Sequence, residues 1–183
     1  MKTSTIILIS LFSIVGIFLL SLLIQVEGKP NRQLTNNLNV ESHALHKFSH
    51  LKVGRGCKLS YIQANGDSIR IGYTQENKLE KPLFTVREDT LFVRNGELKD
   101  LSFIEVYASG VNSIRVDSSY FEVKLAKTPA LRISAKTSTV KFLGNTFIDT
   151  AYLKLNDCTL LGNQAKIKKL ELNMEKTEIK FDR

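Results

Sequence analysis

Apolar and polar residues alternate in short segments along most of the chain beyond residue 47. Cys57–Ile62 ("CKLSYI") and Ser68–Tyr73 ("SIRIGY") are clear examples, and the intervening Ala64–Asp67 ("ANGD") is typical of a hairpin turn. No stretch in this part carries the helical period of apolar residues at i, i+3, i+4 and i+7 over three turns. The pattern therefore predicts a domain built almost entirely of β-strands.

A similar phrase recurs along the second half of the chain. The copies are "SIRVDSSYFEVKL" from Ser113, "ALRISAKTSTVKF" from Ala130, "YLKLNDCTLL" from Tyr152 and "KLELNMEKTEIKF" from Lys169. Each copy contains two short strands joined by small polar residues, and a period of about 20 residues is typical of stacked repeats. We predict an all-β, single-stranded β-helix, or solenoid, of about four to five two-strand rungs, preceded by an N-terminal transmembrane helix.

The N-terminal segment Ile6–Ile24 contains no charged residue. As a helix, such a segment would be about 28 Å long, close to the thickness of about 30 Å of a bilayer core. We predict that residues 1–26 form an anchor in the inner membrane, with the bulk of the chain extracytoplasmic. Export after cleavage of a signal segment near Gly28 is the alternative interpretation.

Residues 27–47 form a polar connector that we interpret as a tether, leaving residues 48–183 as the folded domain. The connector and the start of the domain contain the chain's three histidines, His43, His46 and His50. Their spacing could line one face of a helix, but no cysteine and only Glu41 accompanies them. We predict no metal site and no cofactor.

Composition adds a weak electrostatic indication. The net charge is +8, which favours acidic partners or anionic surfaces. The two cysteines, Cys57 and Cys158, are too few for a disulfide framework and occupy alternating apolar positions, so we interpret them as small buried hydrophobes. A disulfide between them is the alternative.

The order of segments resembles a known family. An apolar segment and a polar tether precede "FSHLKVGRGCKLSYIQANGDSIRIGY", "VREDTLFVRNG" and a run of L-x-I strand pairs. From about Phe48 to Arg183 this is similar to the "putative autotransporter adhesin head GIN domain" family of bacterial envelope proteins. The resemblance implies a β-helical domain that faces outward from the cytoplasm, and it implies no catalytic residues.

Two rows of outward-facing cations are the candidate binding residues. If successive copies stack in phase, residues between two inward positions line up about 4.8 Å apart. The first row would contain Arg115, Arg132 and Lys154, and the second Lys124, Lys141 and Lys180. Such rows could contact an acidic glycan or an anionic envelope surface. Ordinary solvent-facing charge is the competing interpretation.

The preferred hypothesis is a membrane-tethered, extracytoplasmic binding or adhesion module of the bacterial cell envelope, without catalysis. The alternative is a structural or sensory envelope protein that self-associates through its open C-terminal strand, Glu178–Phe181. A polysaccharide lyase-like enzyme is a third hypothesis, disfavoured because the chain has no histidine beyond residue 50 and its carboxylates are dispersed. Nucleic acid is not an expected partner, because no aromatic residues interleave with the candidate cations.

Overall fold

The computed structural model describes residues 38–74, 83–94 and 101–182. These residues form fourteen strands. In chain order the strands are β1 (Leu38–Ala44), β2 (His50–Val53), β3 (Lys58–Gln63), β4 (Ser68–Thr74), β5 (Phe84–Arg87), β6 (Thr90–Val93), β7 (Leu101–Ala108), β8 (Ser113–Asp117), β9 (Tyr120–Lys136), β10 (Thr139–Phe142), β11 (Thr146–Asn156), β12 (Thr159–Asn163), β13 (Lys166–Glu175) and β14 (Glu178–Asp182). The all-β prediction is confirmed.

The strands belong to one continuous sheet that curls over a single apolar core. Half A has the order β1-β4-β7-β3-β9-β10-β12-β14, and half B has the order β5-β6-β2-β8-β9-β11-β13. The long strand β9 belongs to both halves, since its first residues pair with β3 and β10 and its last residues pair with β8 and β11. From β8 onward every pairing is parallel.

Alternation along each strand places one set of side chains in the core. Phe48, Leu59, Ile104 and Phe121 are completely buried, and both cysteines are buried as predicted. Cys57 and Cys158 occupy the same column at one corner of the core, but Ser119 and Ser138 lie between them. Backbone hydrogen bonds between successive turns establish this order. In the first, Tyr120 N–H donates to Cys57 O, and in the last, Glu178 N–H donates to Cys158 O. The separation explains why the two thiols do not form a disulfide.

The same corner is a stack of left-handed turns. Positive φ angles recur at one position in five successive turns. The residues are Gly56 (70°), Ser118 (48°), Thr137 (50°), Asp157 (54°) and Lys176 (48°). A left-handed residue turns the chain sharply. Each of these turns therefore connects a strand segment of half B to the next strand segment along the chain, which lies in half A. Buried hydroxyls satisfy the turn carbonyls, as in the 2.6 Å hydrogen bond that Ser138 Oγ donates to Lys136 O.

The prediction of a regular single-stranded β-helix is wrong. Its rungs would stack in chain order, whereas β2 lies between β6 and β8, and β3 lies between β7 and β9. The predicted hairpin at Ala64–Asp67 is also wrong, because β7 lies between β3 and β4. The chain turns back before Ser68, but β4 pairs antiparallel with β7, so the N-terminal part adds antiparallel strands to the sheet. In addition, β9 runs through seventeen residues without a corner, so one strand bends from half A into half B.

The domain begins earlier than its predicted boundary. Strand β1 lies within the segment 27–47 that was predicted to be a tether, and it pairs antiparallel with β4 from Leu38↔Thr74 to Ala44↔Ser68. Within the described ranges, the structure contains no helix with the length and apolar character needed to cross a bilayer. The segment Ile6–Ile24, on which the prediction of a transmembrane helix rests, lies outside those ranges.

Candidate functional site

A shallow depression of about 430 Å³ lies on the outer face of half B, across β8, β9, β11 and β13. Its outward side chains are basic, hydroxylic, aromatic and amide groups, with one carboxylate. They are Ser113, Arg115, Arg132, Ser134, Tyr152, Lys154, Glu171 and Asn173. The alternate residues of the same strands, such as Ile114 and Ile133, are buried on the opposite face. The strands themselves therefore form a rigid floor for the depression.

The first predicted cation row is only partly correct. Arg115 and Lys154 both lie opposite Ser134, and so they belong to one transverse row. Arg132 is displaced by two residues, because its neighbours across the strands are Ser113 and Tyr152. The structure nevertheless brings all three cations to the same depression, in two adjacent rows instead of one.

Two further residues of this surface were missed in the sequence. Lys52 lies directly opposite Arg115, since β2 pairs in parallel with β8, and it extends the row of Arg115 and Lys154. Tyr152 lies opposite Arg132, whose guanidinium carbon is 4.9 Å from the centre of the tyrosine ring. This is a cation–π contact, with the guanidinium over the tyrosine ring. Tyr152 is visible in the repeated phrase, but only the correct register places it beside Arg132.

The cations of this surface differ in their electrostatic partners. Among the described residues, Arg115, Arg132 and Lys154 form no salt bridge. Glu171, the carboxylate at the β13 side of the depression, lies 2.7 Å from Lys169 Nζ. The depression therefore presents positive charge that the described carboxylates do not neutralise by direct pairing.

The second predicted row is not a row of cations. Lys141 and Lys180 lie in one transverse row on the outer face of half A, separated by Leu161. The same row continues from Lys141 through Glu122, Ser60 and Glu105 to Arg70. Lys124 is displaced from that row by two residues, and Lys180 Nζ is 3.1 Å from Glu178. Acidic and basic side chains thus balance each other on this face.

Glu105 is the centre of a compact ion-pair network on half A. Its carboxylate lies 3.0 Å from Lys124 Nζ and 3.4 Å from Arg70 Nη1, and it accepts a 2.9 Å hydrogen bond from the Tyr107 hydroxyl. Burial alone would raise the pKa of Glu105, but the hydrogen bonds from Lys124 and Tyr107 and the two positive charges outweigh it. The pKa of Glu105 is therefore lowered. Lys124, a predicted binding residue, is occupied by this contact.

Replacing Glu105 with glutamine is expected to lower the free energy of unfolding by about 1–3 kcal/mol at pH 7, because a partly buried, charged hydrogen-bond acceptor is lost. A carboxyl group whose pKa is lower in the folded than in the unfolded protein stabilises the fold at pH values above its unfolded-state pKa, which is about 4.3 for glutamate. This stabilisation is lost as the pH falls through the pKa of the folded state. The difference between wild type and Glu105→Gln should therefore shrink when urea unfolding is repeated near pH 3.

The matched control for this prediction is Glu178→Gln. Glu178 also pairs with a lysine, but 61% of its side chain is exposed, so its removal should change stability little at either pH. An equal loss for Glu105→Gln at both pH values would contradict the assignment of a lowered pKa.

His43 and His50 make separate contacts. His43 Nε2 is 3.3 Å from Glu41, and its ring packs on Phe84 at 5.3 Å. His50 is hydrogen-bonded to Ser113 at 2.7 Å and lies 4.0 Å from Asp89. In the part of the chain that the structure describes, no group of three or more His, Cys, Asp or Glu residues is arranged to hold a metal ion.

Comparison with known proteins gives only distant structural likeness. No family model matches the chain, and no curated protein matches it. A putative adhesin from Parabacteroides merdae is 10% identical over 80% of this chain and 96% of its own, with a TM-score of 0.41. A putative adhesin from Bacteroides fragilis is 13% identical over 84% of this chain and 99% of its own, with a TM-score of 0.36.

A further solved structure has a different description. It is a putative lipid binding protein from Parabacteroides distasonis, 10% identical over 80% of this chain and 97% of its own, with a TM-score of 0.44. TM-scores below 0.5 at this level of identity assign neither a ligand nor a family to the chain. Membership of the head GIN domain family therefore stays a prediction from the sequence.

Proposed function

We propose that this domain is a binding module for acidic glycans, and that the basic depression on half B is its contact surface. The observation that carries the proposal is the cluster of Arg115, Arg132 and Lys154 around Tyr152, without a salt-bridging carboxylate among the described residues. Lys52 adds a fourth positive charge beside Arg115. Surface cations that serve only solubility need no such shared depression.

The chemistry of the depression suits carboxylated or sulfated sugars. Guanidinium groups form paired hydrogen bonds with planar carboxylates, and Lys154 and Lys52 supply further positive charge. Ser113, Ser134 and Asn173 offer donors and acceptors for sugar hydroxyls. The volume of about 430 Å³ lies in the ordinary range for small-molecule sites, although this site is open and shallow. An open site fits a long chain that crosses it.

The cellular setting is part of the same proposal. Residues 6–24 would anchor the chain in the inner membrane and display the domain outside the cytoplasm of a bacterial cell, and export after cleavage near Gly28 is the alternative. The proposed role is adhesion or contact within the envelope, without a catalytic step, and the resemblance to the head GIN domain family supports it by implying an outward-facing domain without catalytic residues. Protease cleavage of the domain in intact cells would support this placement, whereas protection until the inner membrane is opened would contradict it.

The binding test uses polygalacturonate as the acidic glycan and neutral dextran of similar length as the reference. The combined variant Lys52→Gln, Arg115→Gln, Lys154→Gln should bind polygalacturonate at least about tenfold more weakly, at roughly 0.5–1 kcal/mol for each exposed ionic contact. Wild-type binding should weaken steeply as salt is added, because exposed charges are screened. Isothermal titration calorimetry at two salt concentrations measures both effects.

A control with the same change in charge separates a site from general attraction. Lys127→Gln, Lys141→Gln, Lys176→Gln removes three positive charges outside the depression. This variant should retain most of the affinity for polygalacturonate. An equal loss in both variants, or equal binding of dextran and polygalacturonate by the wild type, would overturn the proposal.

The same binding experiments distinguish an anionic lipid from an acidic glycan as the source of the negative charge. Vesicles of phosphatidylglycerol present phosphate in a membrane, whereas polygalacturonate presents carboxylates in a soluble chain. Binding to these vesicles but not to polygalacturonate, with loss in the Lys52, Arg115 and Lys154 variant, would replace the glycan by an anionic lipid surface.

A further inference from the structure

The last strand of half B exposes apolar side chains that ought to be in the core. Leu170, Leu172 and Met174 of β13 lie directly beside Ala151, Leu153 and Leu155 of β11, which are all buried. In contrast, the three β13 residues are 37%, 38% and 42% exposed. They face the interior side of the sheet, but among the described residues no strand covers them beyond β13.

The backbone of β13 is also open along this edge. The carbonyl of Glu175 accepts a hydrogen bond from Asp157, on the side of β11. Backbone groups of successive strand residues point to opposite edges of the strand. Those of Leu170, Leu172 and Met174 therefore point away from β11, where none of the fourteen described strands pairs with them. An apolar, unpaired edge of this kind is a site for strand addition.

The sequence of β13 is complementary to itself in one antiparallel arrangement. We propose that two copies of this chain pair through β13, with Leu172 on the two-fold axis. Leu170 of one copy then lies opposite Met174 of the other. On the outer face Lys169, which contacts Glu171 of its own strand in the single copy, lies opposite Glu175. The apolar side chains of both copies continue one core layer, and two pairs of opposite charges flank it.

Other positions of the axis fit worse. An axis through Glu171 brings the two Glu171 carboxylates face to face, which is unfavourable. An axis through Leu170 places Lys168 opposite Leu172 of the second copy, so a charged residue meets an apolar one. The axis through Leu172 alone matches apolar with apolar residues and acid with base. A single paired strand is smaller than a standard interface of about 800 Å² per partner, so we expect a reversible dimer.

The test is a symmetric disulfide in the full-length chain, kept in detergent micelles at tens of micromolar. On the axis, the two Leu172 Cα atoms would lie about 5.5 Å apart, within the range for a disulfide. Leu172→Cys should therefore form a covalent dimer under mild oxidation. In Met174→Cys the two new thiols would be about 14 Å apart along the strands and should not join. A mixture of Leu170→Cys and Met174→Cys should give the mixed dimer.

Charge exchange provides an independent readout of the same register. Lys169→Glu or Glu175→Lys alone should weaken the dimer severalfold in sedimentation equilibrium, while the double variant Lys169→Glu, Glu175→Lys should restore it. The wild-type chain, with its buried Cys57 and Cys158, is the control for background oxidation. A monomer throughout with no Leu172→Cys dimer, or equal crosslinking of Leu172→Cys and Met174→Cys, would overturn the proposal. Unchanged glycan binding in a monomeric variant would leave the proposed function intact.

Discussion

Replacing Phe121 with alanine is expected to lower the free energy of unfolding by about 3–5 kcal/mol. The phenyl ring is completely buried, and its strand lies between β3 and β10, with Leu59 and Val140 as its cross-strand neighbours. Those neighbours are fixed in the sheet, so they can fill only part of the space that the ring leaves. The loss therefore combines the transfer of apolar surface with the cost of a cavity. Equilibrium unfolding in urea, with the slope unchanged, measures it.

The matched control is Phe147→Ala on β11. The side chain of Phe147 is 45% exposed, and Lys166 Nζ lies 5.4 Å from its ring centre. This substitution removes the same atoms from the surface, so it should cost less than about 1 kcal/mol. A similar loss for both variants would contradict the inward orientation of Phe121 and hence the side of β9 that faces the core.

The second large effect is expected at the corner, where Ser138→Ala should lower the free energy of unfolding by about 1–3 kcal/mol. Ser138 Oγ donates to Lys136 O at 2.6 Å and accepts a 3.2 Å hydrogen bond from the backbone N–H of Ser119. Alanine cannot replace either contact. The buried Ser119 N–H loses its acceptor, and the partly buried Lys136 carbonyl retains only the hydrogen bond from Ser118 N–H. Urea unfolding and protection of the Ser119 amide against hydrogen exchange measure the result.

Ser134→Ala is the control for this second prediction. Ser134 lies on the same strand as Lys136 but faces the outer surface of half B, where water can replace its hydroxyl. Its substitution should change stability by less than about 0.5 kcal/mol. Equal stability of Ser138→Ala and wild type would show that the corner hydroxyl is dispensable.

The sequence predicted which side chains face the core but not which residues are neighbours. Leu131, Ile133 and Ala135 all face inward on β9, so shifting the alignment by two residues leaves every side chain on its correct face. A shift of one residue would have reversed all of them. The hydrophobic pattern therefore determines which face of the sheet each side chain occupies, but it leaves the register undetermined by steps of two residues. For this reason the sequence alignment placed Arg132 opposite Arg115, whereas Ser134 lies there in the structure.

The order of strands in the sheet could not be predicted from the repeated sequence segment, for a different reason. β2 and β6 are both four-residue strands with alternating buried positions, and nothing local distinguishes which of them lies beside β8. Long-range packing decides this, and it determines that Lys52 lies beside Arg115, at the border of the basic depression. Two of the cations were correctly placed in one row, whereas Lys52 and the contact between Arg132 and Tyr152 required the structure.

The position of β2 and β3 inside the sheet has a consequence for how the chain acquires its fold. Ser119 and Ser138 are hydrogen-bonded across 19 residues, so the strands from β10 onward find their partners among residues just synthesised. His50 instead bonds to Ser113, 63 residues later. The N-terminal strands must therefore close long loops, at a cost in chain entropy, before their pairing can stabilise the fold. Loop closure of this kind slows folding. During synthesis, the edge of β2 that will meet β8 stays open until residue 113 has emerged, and an unpaired strand edge of this kind favours aggregation of the nascent chain.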